Sequence, residues 1–279
     1  MKDQYAGDFG DYVKLALLRR LMPGHRLAVG WYRTPNDPDR RDGLHVEYLS
    51  AGQEDRWKHY DPVLYDHLRD LVHGETRSIL RLQEILLADG NSFFDNELRS
   101  RAERAPWFAL FSRSLPDDKA LLFLDPDNGI ASPRFSGSTA SVTCEEIAYL
   151  RGGTRTIIIY HHHTRAKGGH IAELKEIASR LMPSHTHQAV CALRAPGWSP
   201  RSFFIVGPTR PLWDRAQLFA RDWEPHVTFH ALTEVPDDIG LTPGHDAYQR
   251  VAMLEARGIL DIMTDKLVAK IGPAADMPA

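Results

Sequence analysis

The chain has 279 residues, of which 43% are hydrophobic and 25% are charged, and its formal net charge is −3 at pH 7. This composition is typical of a globular protein and excludes collagen-like, low-complexity and wholly disordered chains. No apolar run reaches the roughly 20 residues of a membrane-spanning helix, the first residues lack a secretory signal, and two cysteines cannot form a disulfide framework. We therefore expect a cytoplasmic protein without membrane contact.

The first half of the chain predicts mainly helices. Apolar residues recur at helical spacing over residues 11–21, and Pro23 with Gly24 ends this helix before a strand at residues 26–32. Further helices are predicted over residues 61–72, 75–87 and 97–114, with Pro106 as a point where the last one breaks or restarts. Because residues 50–114 contain no predicted strand, we treat this segment as a candidate helical insertion.

After residue 115, strands alternate with helices. The predicted strands are 120–125, 156–160, 188–193, 201–206 and 226–232, and the predicted helices are 143–150, 171–181, 213–222 and 245–271. This order indicates an α/β fold with a mostly parallel twisted sheet and helices on both faces. We expect a single domain over residues 1–271 and a tail over residues 272–279. Ligands of such sheets bind at the carboxyl ends of the strands, which here lead into the segments after Tyr32, Asp125 and Tyr160.

The segment before the first helix carries two glycines and two acids. Asp8 and Asp11 precede an amphipathic helix, and Lys14 lies about one turn inside it. One interpretation is a chain start with a helix cap. The other is an active-site arm in which Lys14 meets a phosphate or a carboxylate.

The loop after the first strand occupies the place of a nucleotide cofactor in this type of fold. Its candidate binding residues are Tyr32, Asp42 and His45. The loop lacks the G-x-G-x-x-G spacing that lets backbone approach phosphates, so a solvated turn is the simpler interpretation.

Two carboxylates and an amide follow the strand that ends at Asp125. Asp125, Asp127 and Asn128 lie in the sequence Asp-Pro-Asp-Asn-Gly. Their oxygens are suited to a divalent cation, or to accepting hydrogen bonds from an amine or a hydroxyl. The same residue types also form ordinary turns.

Three consecutive histidines follow the central strand. If the strand continues, His161 and His163 face one side and His162 the other. Two imidazoles on one side are suited to metal binding or to proton transfer. Arg165 comes next, and the loop over residues 194–201 is placed to cover the same edge of the sheet.

These motifs, in this order, resemble a widespread bacterial family of uncharacterised proteins with Gly-Asp-Phe-Gly-Asp-Tyr-Val-Lys, Phe-Leu-Asp-Pro-Asp-Asn-Gly and Tyr-His-His-His-Thr-Arg segments. More distantly, they resemble the large-subunit ribosomal RNA adenine-N6 methyltransferases and the three-Cys-motif partner proteins. The N-terminal arm of the RNA enzymes is matched here by Ala6-Gly7, Asp11 and Lys14. The start of their Asp-Pro-Pro-Tyr motif is matched by Asp125-Pro126, and a late strand pair of that family resembles residues 202–208.

The distant resemblance implies a Rossmann-like methyltransferase fold, S-adenosylmethionine as cofactor and a nucleic acid or nucleotide as substrate. The chain departs from that pattern in two places. No glycine-rich loop follows the first strand, and Asn128 stands where the RNA enzymes have an aromatic residue that stacks on the target base.

Three hypotheses remain open. The first is a methyltransferase-like enzyme, in which Asp125 accepts a hydrogen bond from the target amine while Lys14 and Arg165 contact a phosphate or the cofactor's carboxylate. The second is a metal-dependent hydrolase or nuclease, with Asp125, Asp127 and His161 around the ion and Lys14 on the phosphate. The third is a non-catalytic binding module.

The order of the segments favours the first hypothesis. The candidate catalytic residues are Lys14, Asp125, Asp127, Asn128, His161 and His163, and the candidate cofactor-binding residues are Asp8, Asp11, Tyr32, Asp42, His45 and Arg165.

Overall fold

The computed structural model describes residues 1–36, 45–74, 76–116, 120–133, 138–152, 154–164, 166–182 and 188–236. The helices are α1 (Phe9–Leu21), α2 (Glu54–Trp57), α3 (Pro62–His73), α4 (Ile79–Gln83), α5 (Arg104–Ser114), α6 (Cys144–Arg151), α7 (Gly169–Leu181) and α8 (Arg210–Asp222). The strands are β1 (Leu27–Trp31), β2 (Ser92–Phe94), β3 (Leu121–Asp125), β4 (Gly129–Ile130), β5 (Ser141–Val142), β6 (Ile157–His162), β7 (Val190–Ala195), β8 (Arg201–Val206) and β9 (Thr228–Ala231).

Seven strands form the central sheet in the order β2-β1-β3-β6-β8-β7-β9. The β2–β1, β1–β3 and β3–β6 pairs are parallel, whereas β6–β8, β8–β7 and β7–β9 are antiparallel. It follows that β1, β2, β3, β6 and β7 run in one direction and that β8 and β9 run in the other. The predicted α/β architecture with a mostly parallel sheet is confirmed. A separate small parallel pair joins β4 to β5.

Two hydrophobic cores lie on opposite faces of this sheet. Alternate residues of each strand point to opposite sides, so Phe123 belongs to one core and Leu122 to the other. Helices α1, α3 and α8 cover the first face, and α5, α6 and α7 cover the second. The prediction of helices on both faces is therefore confirmed.

Capping residues set the starts of several helices. The Asp8 side chain accepts a hydrogen bond from the Asp11 N–H at the start of α1. Thr143 and Glu146 form a reciprocal capping box at the start of α6, as their spacing predicts. Pro106 lies in the first turn of α5, where a missing N–H breaks no helical hydrogen bond, so α5 is not interrupted.

The helix predicted over residues 75–87 is wrong in extent. Ser78 caps a helix of only five residues, α4, and a 3₁₀ turn at Glu84–Leu86 follows it. Strand β2, which the sequence did not predict, comes next and pairs with β1. Three residues are too few to produce a recognisable strand alternation. Segment 50–114 thus supplies an edge strand of the main sheet as well as α5 of the second face.

The chain crosses the sheet in a way that opens a crevice. From β1 it passes to β2 on one side and then to β3 on the other, so the strand order reverses between β1 and β3. Ligands of open α/β sheets bind at such switch points, outside the carboxyl ends of the strands. Trp31 at the end of β1 lies beside Asp125 at the end of β3.

None of the helices that the structure describes is long and apolar enough to cross a membrane. The helix predicted over residues 245–271 and the tail over 272–279 lie outside the described residues.

Candidate functional site

A cavity of about 470 Å³, here called the cleft, opens at the switch point. Five parts of the chain line it. They are the segment before α1 with the first turns of that helix, the loop after β1, the turn after β3, the segment before β5, and the β6 end with the β7–β8 loop. A volume in this range is typical of small-molecule sites. The fold thus brings residues distant in sequence to one edge of the sheet.

The floor of the cleft holds a buried charged triad, Asp11–Lys14–Asp125. The Lys14 Nζ donates to Asp11 Oδ1 at 2.6 Å and to Asp125 Oδ2 at 3.0 Å. All three residues are no more than 3% exposed. Asp11 also accepts a hydrogen bond from the Gly7 N–H at 2.8 Å, so the triad fixes the arm before α1.

Burial and pairing act in opposite directions on the triad. Burial alone lowers the pKa of Lys14, but the charges of Asp11 and Asp125 hold that pKa well above its usual range. Burial raises the pKa of Asp11 to about 6, against the opposing effect of Lys14. With all three groups ionised the triad carries one net negative charge, which suits a cationic or hydrogen-bond-donating ligand.

Asp125 keeps one oxygen open toward the cleft. Its Oδ2 is held by Lys14, while no other described residue forms a hydrogen bond with its Oδ1. Oδ1 is not among the described side-chain atoms that are both fully buried and unpartnered, so it keeps some surface open to the cleft that Asp125 lines. The Asp125 side chain is therefore fixed in orientation and able to accept a hydrogen bond from a ligand.

Side-chain and backbone contacts hold the turn after β3 in place. Asp127 Oδ1 pairs with the Met1 amino group at 2.5 Å, and its Oδ2 accepts from the Thr34 hydroxyl at 3.1 Å. The Asn128 backbone N–H donates to the Ala140 carbonyl. Gly129 has a φ of +83°, and a Cβ there would lie 2.5 Å from the His161 Cα, so no other residue fits this turn without strain.

The three histidines divide between two sides of the sheet, as the strand alternation predicts. His162 lines the cleft and also borders a second cavity of about 510 Å³, whereas His161 and His163 line only that second cavity. His163 Nδ1 lies 2.7 Å from Glu173 Oε2 on α7, and His161 Nε2 lies 3.4 Å from Glu173 Oε1. The structure thus separates His161 and His163 from Asp125 and Asp127.

The hydrogen bonds of this histidine pair fix its tautomers. The Ile130 N–H can only donate, so His161 Nδ1 accepts and its proton lies on Nε2. His163 donates from Nδ1 to Glu173 and accepts from the Ser202 hydroxyl at Nε2, a contact of 2.7 Å. Burial lowers the pKa of His163 to about 4 in spite of Glu173. Burial alone raises the pKa of Glu173, but hydrogen bonds from His161, Thr164 and His163 hold it well below its usual range.

The same cluster has the composition of a metal site but not its hydrogen-bonding pattern. His161, His163 and Glu173 offer three ligand atoms within 4.8 Å of one another. A histidine ligand normally donates its second N–H to a neighbour. His161 instead accepts at that nitrogen, and all three side chains already satisfy one another. We conclude that the cluster, as it stands, ties the end of β6 to α7.

The remaining candidate residues lie in different places. Asp8 and His45 line the cleft, and the His45 carbonyl accepts from the Phe9 N–H at 2.9 Å. Tyr32 is fully buried on the opposite face against Trp107 and Phe111, so it does not reach the cleft. Asp42 and Arg165 lie outside the described residues.

The residues of the cleft that were not sequence-based candidates include four polar side chains at one end of it: Tyr160, His162, Ser199 and Arg201. The alternation of side chains along β6 already predicted that His162 faces the other way from His161 and His163. Only the structure shows that this side of β6 lines the same cleft as Asp125. Arg201 begins β8, which runs antiparallel to β6, so its amino end lies at the edge where the parallel strands have their carboxyl ends. The loop over residues 194–201, which was expected near this edge, contributes Ser199 and Arg201 to the cleft.

The chain matches no protein-family model and no curated protein. Among solved structures it is similar to the crystal structure of a Legionella pneumophila str. Philadelphia 1 protein described as family-model DUF519. The two share 11% sequence identity with a TM-score of 0.44, over 80% of this chain and 96% of the other. A likeness of this degree carries no argument about fold or activity.

Proposed function

We propose that this protein is a methyltransferase-like enzyme that acts on an amino nitrogen of a nucleic acid or nucleotide, with S-adenosylmethionine as the methyl donor. The observation that carries the proposal is the state of Asp125. This carboxylate ends a parallel strand at the switch point, Lys14 fixes one of its oxygens, and the other is open to the cleft.

The open oxygen suits an amine substrate. An exocyclic amino group donates hydrogen bonds and becomes more positive as its nitrogen forms a new bond to carbon. A fixed carboxylate next to that nitrogen stabilises the developing charge, and its environment is already arranged before the reaction. Lys14 then acts as a positioning residue, because its hydrogen bond orients the Asp125 carboxylate.

The charge of the triad supports a cationic cofactor at that end of the cleft. S-adenosylmethionine carries a positive sulfonium and, when bound, supplies the methyl group. The net negative triad matches that charge, and the cavity of about 470 Å³ is in the size range for a ligand of this kind. The chain lacks a glycine-rich loop after β1, so Thr34, Pro35 and His45 would line this side of the cofactor.

Aromatic surface in the cleft supports a base as the acceptor. Asn128 has no ring to stack on a base, but Tyr160 extends from the neighbouring strand β6 into the same cleft, and Tyr5 lines it from the arm. Base stacking on such rings contributes about 1–3 kcal/mol per base.

The metal-dependent hydrolase is less well supported. Its ligand set of Asp125, Asp127 and His161 would require one cation to reach all three. Lys14 pairs with Asp125, the Met1 amino group pairs with Asp127, and His161 faces the second cavity. The two acids thus already have positively charged partners.

Calorimetric titration of S-adenosylmethionine into chelator-treated protein tests the proposal. We expect micromolar binding by the wild type and at least tenfold weaker binding by Asp125→Asn, with Asp222→Asn unchanged because that carboxylate is half-exposed and pairs with Arg20. Thermal unfolding of each variant establishes that it is folded.

Transfer of a radiolabelled methyl group to RNA, DNA and free nucleotides then tests catalysis. Incorporation that depends on Asp125 supports the enzyme. Absence of cofactor binding at millimolar concentration contradicts the proposal. Cofactor binding without transfer to any acceptor favours the non-catalytic binding module instead.

A further inference from the structure

A second charged group of the cleft, Arg201, lies apart from the triad. Arg201 is the first residue of β8 and is only 3% exposed, although it lines the cleft. Its Nε donates to the Ser199 carbonyl at 2.8 Å. Its two Nη atoms make no hydrogen bond with any described residue, and the nearest carboxylate oxygen, Asp8 Oδ1, is 3.9 Å from Nη1.

The guanidinium lies directly against the first turn of α1. A Cβ on Gly10 would be 1.3 Å from Arg201 Nη1, so only glycine leaves room for the guanidinium at this point of the helix. Gly10 is thus required by a neighbouring side chain.

This position is electrostatically unfavourable for a cation by itself. The start of a helix carries a partial positive charge, and the first turn of α1 lines the cleft through Gly10 and Asp11. The Phe9 and Asp11 N–H groups already donate to the His45 carbonyl and to the Asp8 side chain. Asp8 offsets part of the repulsion, but it also caps the helix and stands beyond hydrogen-bond distance from the guanidinium. A buried cation at the positive end of a helix is stabilised when an anion binds beside both of them.

Two other cations of the cleft are already neutralised, and a third, Lys2, is only partly buried and lies over the Tyr5 ring. Lys14 faces two carboxylates in the triad, and the Met1 amino group faces Asp127. His162 and Ser199 lie beside Arg201 in the cleft, with 3.3 Å between the Ser199 hydroxyl and His162 Nε2. Burial and the charge of Arg201 lower the pKa of His162, so this ring stays neutral and adds hydrogen-bonding capacity without a further charge.

We propose that Arg201, Ser199, His162 and the start of α1 form an oxyanion subsite of the cleft, which takes a phosphate or carboxylate group of the ligand. The cleft then has two chemically distinct ends. The triad receives a donor or cation at one, and Arg201 receives an anion at the other. A nucleotide phosphate and the carboxylate of S-adenosylmethionine have the same chemistry for this subsite.

Matched ligand pairs distinguish these sources. Affinities are measured for adenosine 5′-monophosphate against adenosine, for S-adenosylmethionine against 5′-methylthioadenosine, and for inorganic pyrophosphate alone. We expect the anionic member of one pair to bind at least tenfold tighter to the wild type. The pair that shows the difference identifies the source of the oxyanion.

Two substitutions remove the subsite in different ways. Arg201→Gln removes the charge, and Gly10→Ala displaces the guanidinium while the Arg201 side chain is retained. Both should abolish the tenfold difference. Arg210→Gln is the matched control, because Arg210 is half-exposed on α8 and pairs with Asp214, and it should leave every affinity unchanged.

The comparisons between adenosyl compounds depend on the proposed function, whereas the measurement of pyrophosphate binding does not. If no adenosyl compound binds but pyrophosphate binding is lost in Arg201→Gln and Gly10→Ala, the proposed function fails and the oxyanion subsite stands. If the anionic and neutral members bind the wild type equally and pyrophosphate does not bind, the subsite is overturned. Ligand preferences that persist in both variants also overturn it.

Discussion

Removal of Lys14 is the sharpest test of the buried triad. Lys14→Met keeps the length and apolar stem of the side chain but leaves Asp11 and Asp125 without their common cation. Breaking a buried ion pair by removing one partner costs about 3–5 kcal/mol, because the remaining charge is buried without compensation. Both carboxylates are affected here, so we expect the free energy of unfolding to fall by an amount at the upper part of that range at pH 7.

The loss should depend on pH in a defined direction. Burial already raises the pKa of Asp11 from an ordinary value of 3.8 to about 6 with Lys14 present, and removal of the opposing cation raises it further. A raised carboxyl pKa gives stability that is fully present below the ordinary value and is lost as the pH rises through the folded-state value. The difference between Lys14→Met and the wild type should therefore be smaller at pH 5 than at pH 7.

Urea unfolding followed by circular dichroism at both pH values measures this. Lys58→Met is the matched control. Lys58 approaches Asp66 as closely as 2.7 Å, but both side chains are more than a third exposed, so its loss should cost less than about 1 kcal/mol. The reasoning is refuted if Lys14→Met is no more destabilising than Lys58→Met, or if its deficit grows as the pH falls from 7 to 5.

Three further predictions concern stability outside the triad. The pKa of His163 is lowered from 6.5 to about 4, so the stability present above pH 6.5 is lost as the pH falls toward 4. We expect the free energy of unfolding of the wild type to fall by about 3 kcal/mol over this range, and urea titrations should show a smaller fall in His163→Asn. Thr143→Ala removes a capping box and should lower the free energy of unfolding by about 1 kcal/mol, whereas Thr209→Ala, at a helix start where the side chain forms no cap, should change it by a few tenths at most. Gly30→Ala places a Cβ 2.4 Å from the Phe111 ring and should cost about 1–3 kcal/mol; an unchanged melting temperature would contradict this packing.

Local sequence patterns predicted most of the secondary structure. The apolar run before Asp125 is a fully buried strand, and the Thr143–Glu146 spacing marks the start of α6. These features depend on contacts between near neighbours in the chain, which spacing alone reveals. Strand β2 was not predicted, because its three residues become a strand only through pairing with β1.

The direction and order of the strands could not be predicted from such patterns. Residues 201–206 were correctly expected as a strand, but their antiparallel pairing with β6 depends on how β7 returns across the sheet. That direction brings Arg201 to the ligand edge. Likewise, alternation separated His162 from His161 and His163, and only the placement of α1 and α7 on opposite faces assigns one side to the cleft and the other to Glu173.

The sequence by itself determined the α/β class, the strand that delivers Asp125 and the helix that carries Lys14, because these follow from hydrophobic periodicity and capping within short segments. Only the tertiary structure decided that Lys14 reaches Asp125 across 111 positions, that Tyr32 is buried away from the cleft, and that Gly10 makes room for Arg201. These contacts join residues that are far apart in sequence, and they exist only once the sheet has fixed the order and direction of its strands.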